Sequence, residues 1–300
     1  MVCDYYRLRG RVCGWDLSTL ATYRDAYRRF GGGVNTHPDV LAFIMQMTGL
    51  TLTFWEYRER GVVLGACFTQ GPAQGGVNVW RDWPVTYDEL LFPLLPGRRF
   101  FLPMYTNRLA AEHGSQVRNA TYRFWRKTRV CRVKAASTAK TEKTRRNELN
   151  RFLRSGGEVK TVQEVSAQAL AHIYTTLFQR RFGGAVRGYS PGRMALIMLA
   201  LKPMLFGHVL YLQGAPCAYD LVFMAESPQW VYFDVPNGGV DPACQSLSVG
   251  SVLMYLNIRA ARELCHSKGK LMKFSLGQHD ENWGYKLRWA DKSPVGKILF

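Results

Sequence analysis

The sequence contains no C-x-x-C pair: its seven cysteines (Cys3, Cys13, Cys67, Cys131, Cys217, Cys244 and Cys265) lie singly and their number is odd. That argues against a disulfide framework and against a structural zinc site, so they read as reduced and mostly buried. The six histidines are equally scattered, with no H-x-x-x-H or H-E-x-x-H spacing, and no metal is expected. G-x-S-x-G is absent as well, so the chain offers no serine nucleophile elbow. The longest clean apolar run covers residues 194–201 and is closed by Lys202 and Pro203. It falls well short of the ~20 residues that span a bilayer, and no transmembrane helix is expected. The opening stretch MVCDYYRLRGRVCGWD carries charges where a signal peptide needs an apolar core, so export is not expected either.

Acidic residues are scarce: 22 Asp and Glu stand against 40 Lys and Arg, a net charge of +18. The excess is local. Residues 98–160 hold 17 basic and 4 acidic side chains, a net of +13. Such a field attracts polyanions, whether nucleic acid, phosphorylated saccharide or an anionic membrane face; the plainer reading is a solubilising surface. What the chain does have is the material of a folded core. Its 300 residues are 47% hydrophobic and 13% aromatic, enough for one large domain or two ordinary ones.

In the first half, DLSTLATYRDAYRRF places Leu17, Leu20, Tyr23, Tyr27 and Phe30 at helical spacing, with Asp16 as cap and Gly31-Gly32-Gly33 as stop. His37-Pro38-Asp39 starts a second helix that ends at Gly49, and residues 51–69 read as a hairpin turning at Glu59-Arg60-Gly61. Residues 71–138 are aromatic and rich in proline, with a strand predicted over 98–104. Residues 119–134 read as a strand pair or an amphipathic element. TAKTEKTRRNELNRFLR, residues 138–154, is a basic helix whose thin apolar edge of Leu149, Phe152 and Leu153 leaves most of it to solvent or a partner.

The second half repeats this plan without repeating the sequence. A short strand at 158–162 precedes helices at 166–182 and 191–201, then strands at 208–212, 218–224 and 230–235. The long helix at 248–267 carries Leu253, Leu256, Ala260 and Leu264 on one face and ends near Gly269. LMKFSLG then alternates as a strand and opens into a loop holding Gln278, His279, Asp280, Glu281, Trp283, Tyr285 and Lys286. A strand end with this many polar groups suits an α/β site; the alternative is a solvated charged loop.

Helix, helix, meander, helix, strand, strand resembles the order of the GNAT acyltransferase fold, and two copies joined by a basic helix resemble the Fem-type aminoacyltransferases. KTRRNELNRFLRSGGEVKTV, GAPCAYDLVFMAE and SVGSVLMYLNIRAARELCHSKGKLMKFSLG…NWGYKLRW carry this resemblance. CGWDLSTLATYRDAYRRFGGGVNTHPDVLAFI is similar to the macrophage-induced antimicrobial-resistance (Mig) family of Gram-negative bacteria. The expected fold is therefore α/β (α+β): tandem GNAT-like acyltransferase domains, each a mixed, mostly antiparallel sheet flanked by helices. The expected division is an N-terminal lobe over 1–137, a basic linker helix over 138–157, and a C-terminal lobe with the donor site over 158–300.

The resemblance implies a set of site residues. Lys286 in Gly284-Tyr285-Lys286 matches the superfamily's closing lysine, which stabilises negative charge on donor or acceptor. Asp234, at the end of an apolar strand, and His279, Asp280 and Glu281 are candidate bases. Asp220, beside Tyr219 inside a strand, needs a partner if buried. The stretch from Gln245 to Ser251, with Ser248, Val249 and Gly250, stands where coenzyme A-dependent members cradle pyrophosphate on a helix start. It lacks their second glycine. Arg145, Arg146, Arg151 and Arg154 are candidate phosphate grips for tRNA or a phosphorylated lipopolysaccharide core.

The reading these residues support is an acyl- or aminoacyltransferase with no tightly bound cofactor, using aminoacyl-tRNA or acyl-CoA as donor. Its acceptor would be an anionic envelope precursor such as lipopolysaccharide core, its place the cytoplasmic, peripheral face of the inner membrane, and its output resistance to cationic antimicrobial peptides. The alternative is a non-catalytic GNAT-like protein that binds anionic lipid or nucleic acid as a scaffold or regulator. No helix-turn-helix supports a transcription factor.

Overall fold

A computed structural model describes residues 8, 10–123 and 128–299; Cys3 and the aromatic-basic run 124–127 lie outside them. Strand β1 (Trp15–Ser18) precedes helix α1 (Leu20–Phe30). Thr19 caps α1 by accepting from the Thr22 N–H at 3.2 Å, while Asp16 sits inside β1 opposite Glu56. The expected Asp16 cap fails because the residues after it are taken by the sheet before the helix begins. Helix α2 (Pro38–Thr48) begins with proline at its first position and stops at Gly49, whose φ of 69° is left-handed. Strands β2 (Leu52–Glu59) and β3 (Val62–Gln70) form the hairpin, and with the short β4 (Gln74–Gly75) they give a sheet of order β1-β2-β3-β4.

The strand predicted over 98–104 does not form. Phe100 makes one isolated bridge to Val117, and the prolines on either side, Pro96 and Pro103, prevent a ladder from extending. Residues 86–102 are instead tied down by side chains that satisfy their backbone. Asn35 donates to the Thr86 and Glu89 carbonyls, His113 Nε2 accepts from the Phe92 N–H, and Asn119 bonds both polar groups of Leu102. Two strands follow, β5 (Ala120–Thr121) and β6 (Arg129–Val133).

Helix α3 (Ala139–Arg154), capped by Thr138, leads to β7 (Gly157–Thr161), α4 (Ala167–Phe182) and α5 (Pro191–Ala200). Strands β8 (Leu205–Phe206), β9 (His208–Leu212), β10 (Ala215–Glu226) and β11 (Trp230–Val240) form a meander. Helix α6 (Val249–Ser267), strand β12 (Leu271–Gln278), a 3₁₀ segment (Glu281–Arg288), β13 (Ala290–Pro294) and β14 (Lys297–Ile298) complete the chain. The second sheet has the order β13-β6-β12-β11-β10-β9-β7, with β8 beside β10. Within it only β11 and β12 run parallel.

One topology is used twice. A strand, two helices and a hairpin build β1 to β3, and the same series, with the short β8 inserted, builds β7, β9 and β10; in each, the strand before the helices adds to the first strand of the hairpin. Sheet membership also crosses residues 137–158. Strand β6 comes before α3 yet lies between β12 and β13, and β14 at the chain end pairs with β5. The main core is shared accordingly, joining Tyr23, Phe68 and Phe92 to Tyr174, Tyr219 and Phe223. The six described cysteines are unbridged and five are buried. Among the described residues no helix is long and apolar enough to cross a membrane.

Candidate functional site

Strands β11 and β12 pair in parallel from Trp230 opposite Leu271 to Asp234 opposite Ser275, and there the pairing ends. Two local features separate them. Strand β11 carries a bulge at Val235 and Pro236, where its register with β10 shifts, and a bulge bends the strand that holds it. Strand β12 turns at Gly277, whose φ is 77°, and a Cβ there would come 2.8 Å from Asp88 Oδ2. Beyond the fork lies a cavity of about 680 Å³. Its floor is the two parted strands, its roof the start of α6 at Gly250 and Ser251, and its outer wall the 3₁₀ segment with Trp283, Tyr285 and Lys286. The first half of the chain closes the remaining side with Tyr87, Asp88 and Arg108.

Gln278, at the end of β12, organises the charges. Its N–H donates to Asp88 Oδ2 at 2.9 Å, its carbonyl accepts from Lys286 Nζ at 3.0 Å, and its side-chain oxygen accepts from Arg108 Nη1 at 2.8 Å. Burial pushes the Asp88 carboxyl up, against the Gln278 N–H and the Arg108 and Lys286 charges. Burial likewise pushes the Lys286 ammonium down, against Cys131, Asp88, Asp234 and Asp280. On the opposite strand, burial holds the Asp220 carboxyl at about 6 despite the Arg181 guanidinium nearby. Arg181 donates to the Gly238 carbonyl at 3.1 Å and stacks 5.7 Å from the Trp283 ring centre.

The cavity thus brings together some of the expected residues. Lys286, Asp280, Gly250 and Ser251 line it. Asp234 does not: it is buried beneath the fork, accepts from Thr86 Oγ1 at 2.5 Å, and is pushed up to about 7 by burial. His279 turns into the sheet edge, its N–H donating to the Arg129 carbonyl at 2.8 Å, and Glu281 is exposed; neither lines the cavity. Gln245 is exposed on the 3₁₀ turn Pro242–Leu247, Val249 is buried, and Ser248 joins the two helices at a φ of 55°.

The helix start can be tested as a phosphate cradle. The first N–H groups of a helix lack intrahelical acceptors; here the Ser251 and Val252 N–H groups donate to the Ser248 carbonyl, and the Ser248 side chain caps none of those before them. A Cβ added at Gly250 would meet nothing closer than Val240 Cγ1 at 3.4 Å, so the recess is open. The basic helix reaches the same point, with Arg151 Nη2 3.4 Å from Ser248 Oγ and Arg146 and Arg154 exposed along α3. Arg145 is used internally, between Glu148 at 2.8 Å and the Trp289 ring at 4.6 Å. A phosphate-bearing donor therefore fits the residues present. Among the described residues no cluster could hold a metal ion.

Residues 37–298 match the family model described as Mig-14. The chain belongs to the Mig-14 family. Among solved structures it is similar to FemX, at 8% identity over 95% of this chain and 97% of that one, with a TM-score of 0.61. It is also similar to a conserved protein of unknown function from Bacteroides thetaiotaomicron (11% identity, 94% and 97% covered, TM-score 0.49). A third is a tandem GNAT protein from the clavulanic acid biosynthesis pathway (11% identity, 94% and 97% covered, TM-score 0.42). No curated protein matches. At such identities the likeness is one of fold, and this Mig-14 family chain has a tandem GNAT-like architecture of mixed sheets flanked by helices.

Sequence reasoning missed Asp88, Arg108 and Arg181. The one signal for Asp88 is Thr86-Tyr87-Asp88-Glu89, polar residues set between Val85 and Leu90-Leu91-Phe92 where a buried segment has no use for carboxylates. Arg108 and Arg181 carry no local signal.

Proposed function

We propose that this protein is an acyl- or aminoacyltransferase whose reaction takes place in the fork between β11 and β12. The observation that carries the reading is the cavity at that fork, reached from one side by the open start of α6 and lined on the other by Lys286, Asp88 and Asp220. A donor ester or thioester placed along the fork presents its carbonyl between the strands. Positioning an acceptor against it supplies much of the rate without a covalent intermediate. Lys286 stabilises the charge that develops on oxygen, and it does so in a partly desolvated site where such a charge counts for more than in water.

The donor is an acyl-CoA or an aminoacyl-tRNA. The exposed arginines of α3 leading to Ser248 support the larger donor, because they extend the anion-binding surface beyond what one pyrophosphate needs. The acceptor is an anionic envelope precursor such as a lipopolysaccharide core, reached from the cytoplasmic face of the inner membrane. A transferred group that carries more than one amine lowers the surface negative charge that cationic peptides seek even where the acceptor nitrogen loses its own charge, which accounts for peptide resistance as the output. Mass spectrometry of envelope saccharides from cells with and without the protein tests this. An acyl or aminoacyl mass present only with the protein is expected; identical spectra contradict the reading.

A further inference from the structure

Asp220 occupies an unusual position. It lies within β10 opposite Gly238 of β11, half-buried, and lines the cavity. Among the described residues, none of the hydrogen bonds or ion pairs of the fold ends on its carboxylate. Arg181, its cationic neighbour, acts on it by charge without a hydrogen bond; its guanidinium donates to the Gly238 carbonyl and lies over the Phe182 and Trp283 rings. A half-buried carboxylate that faces a cavity and receives no donor from the fold is open to a ligand that supplies one.

The fold makes room for this arrangement. A Cβ at Gly238 would overlap Asp220 Oδ1, so the carboxylate lies across the neighbouring strand only because position 238 is glycine. Tyr285 interacts with it, and Phe182 and Trp283 line the same cavity, with ring centres 6.1 Å apart for Phe182 and Trp283 and 6.0 Å for Trp283 and Tyr285. A carboxylate with no hydrogen-bond donor from the fold, in a cavity with aromatic rings, is the chemistry that receives an alkylammonium.

Resting on the transferase reading above, we infer that Asp220 binds the acceptor's primary amine as its ammonium and then takes its proton, with Gly238 as the residue that admits the carboxylate to the cavity. The step balances. R–NH3⁺ gives one proton to the Asp220 carboxylate, leaving R–NH2. The nitrogen lone pair forms the N–C bond to the acyl carbon of the donor ester or thioester. The C–O or C–S bond breaks, and the leaving oxygen or sulfur takes the second proton of the nitrogen. Asp220 returns its proton to solvent.

The groups facing Asp220 set its pH range. Arg181 of α4 and Tyr285 of the 3₁₀ segment interact with it, and Asp280, Lys286 and Arg288 from the loop and 3₁₀ segment and Asp88 and Arg108 from the first half line the same cavity. Burial outweighs Arg181 and leaves the carboxyl at about 6. It is ionised above that pH, so amine binding strengthens as pH rises through 6 and is full at neutrality.

Titration calorimetry with n-hexylamine on the intact protein at pH 7.5 reads this directly, with Asp220→Asn and Gly238→Ala as variants and Glu263→Gln, exposed on α6, as control. Binding by the wild type and the control, weakened at least tenfold in both variants and in the wild type at pH 5, is expected. No binding by the wild type, or equal binding by Asp220→Asn, overturns the inference. Circular dichroism confirms that each variant is folded, and the double variant should bind no more weakly than either single one. Transfer assays on the same samples separate the two readings. Transfer retained by Asp220→Asn with an unchanged pH profile overturns the Asp220 role alone, whereas hexylamine binding with no transfer to any acceptor supports the amine site and contradicts the transferase.

Discussion

Asp234 shows how one buried carboxyl ties stability to pH. Its carboxyl is 3% exposed, receives the Thr86 hydroxyl, and is raised by burial to about 7, with Asp88 and Glu89 adding to the rise. In the unfolded chain the same group titrates near the ordinary value of about 3.9. Between these values the folded state holds a proton that the unfolded state does not, so stability falls as pH rises from about 4 to about 7 and is level above. Asparagine can still accept from Thr86 but carries no charge. Asp234→Asn is therefore expected to match the wild type at pH 4 and to exceed it by roughly 4 kcal/mol at pH 8, an order-of-magnitude figure from ~1.4 kcal/mol per pKa unit. Urea unfolding at the two pH values measures it.

The element that joins the two halves is the segment around Thr86 to Glu89. Glu89 is 3% exposed and receives the Tyr232 hydroxyl of β11 at 2.8 Å and Arg132 Nη2 of β6 at 2.6 Å, while Lys273 of β12 reaches Glu112 at 2.6 Å. This network sets Asp88 against the end of β12. Removing one member of a buried pair leaves the other charge uncompensated, at a cost of about 3–5 kcal/mol. Arg132→Met is expected to lose that much in urea unfolding, and adding Glu89→Gln to regain part of it. Elements with their own period were legible in the sequence. The helices at 166–182 and 248–267 and the hairpin at 51–69 all appear within a few residues of their predicted bounds. Residues 71–119 were not, because Asn35, His113 and Asn119 hold them through contacts distant in sequence. The site divides the same way. Lys286, Gly250 and Ser251 follow from the strand-end and helix-start pattern, whereas Asp88 and Arg108 enter the cavity only through this tertiary network.

At the scale of the whole molecule, the halves are interlocked. Strand β6 completes the second sheet, β14 returns to β5, and the cavity has walls from both halves. Both halves of a repeated topology thereby line this cavity, with Tyr87, Asp88 and Arg108 contributed by the first. The net charge of +18 favours the approach of anionic molecules to the protein as a whole. The central claim is that acyl transfer occurs at the fork with Lys286 stabilising the developing charge. Its most direct test is transfer by purified protein, followed by mass spectrometry, from acyl-CoA or charged tRNA to lipopolysaccharide-derived acceptors, beside the Lys286→Ala variant. The account predicts an added acyl or aminoacyl mass with the wild type and a rate lower by about 10²-fold with the variant. No added mass with either donor, or equal rates for the two proteins, would contradict it.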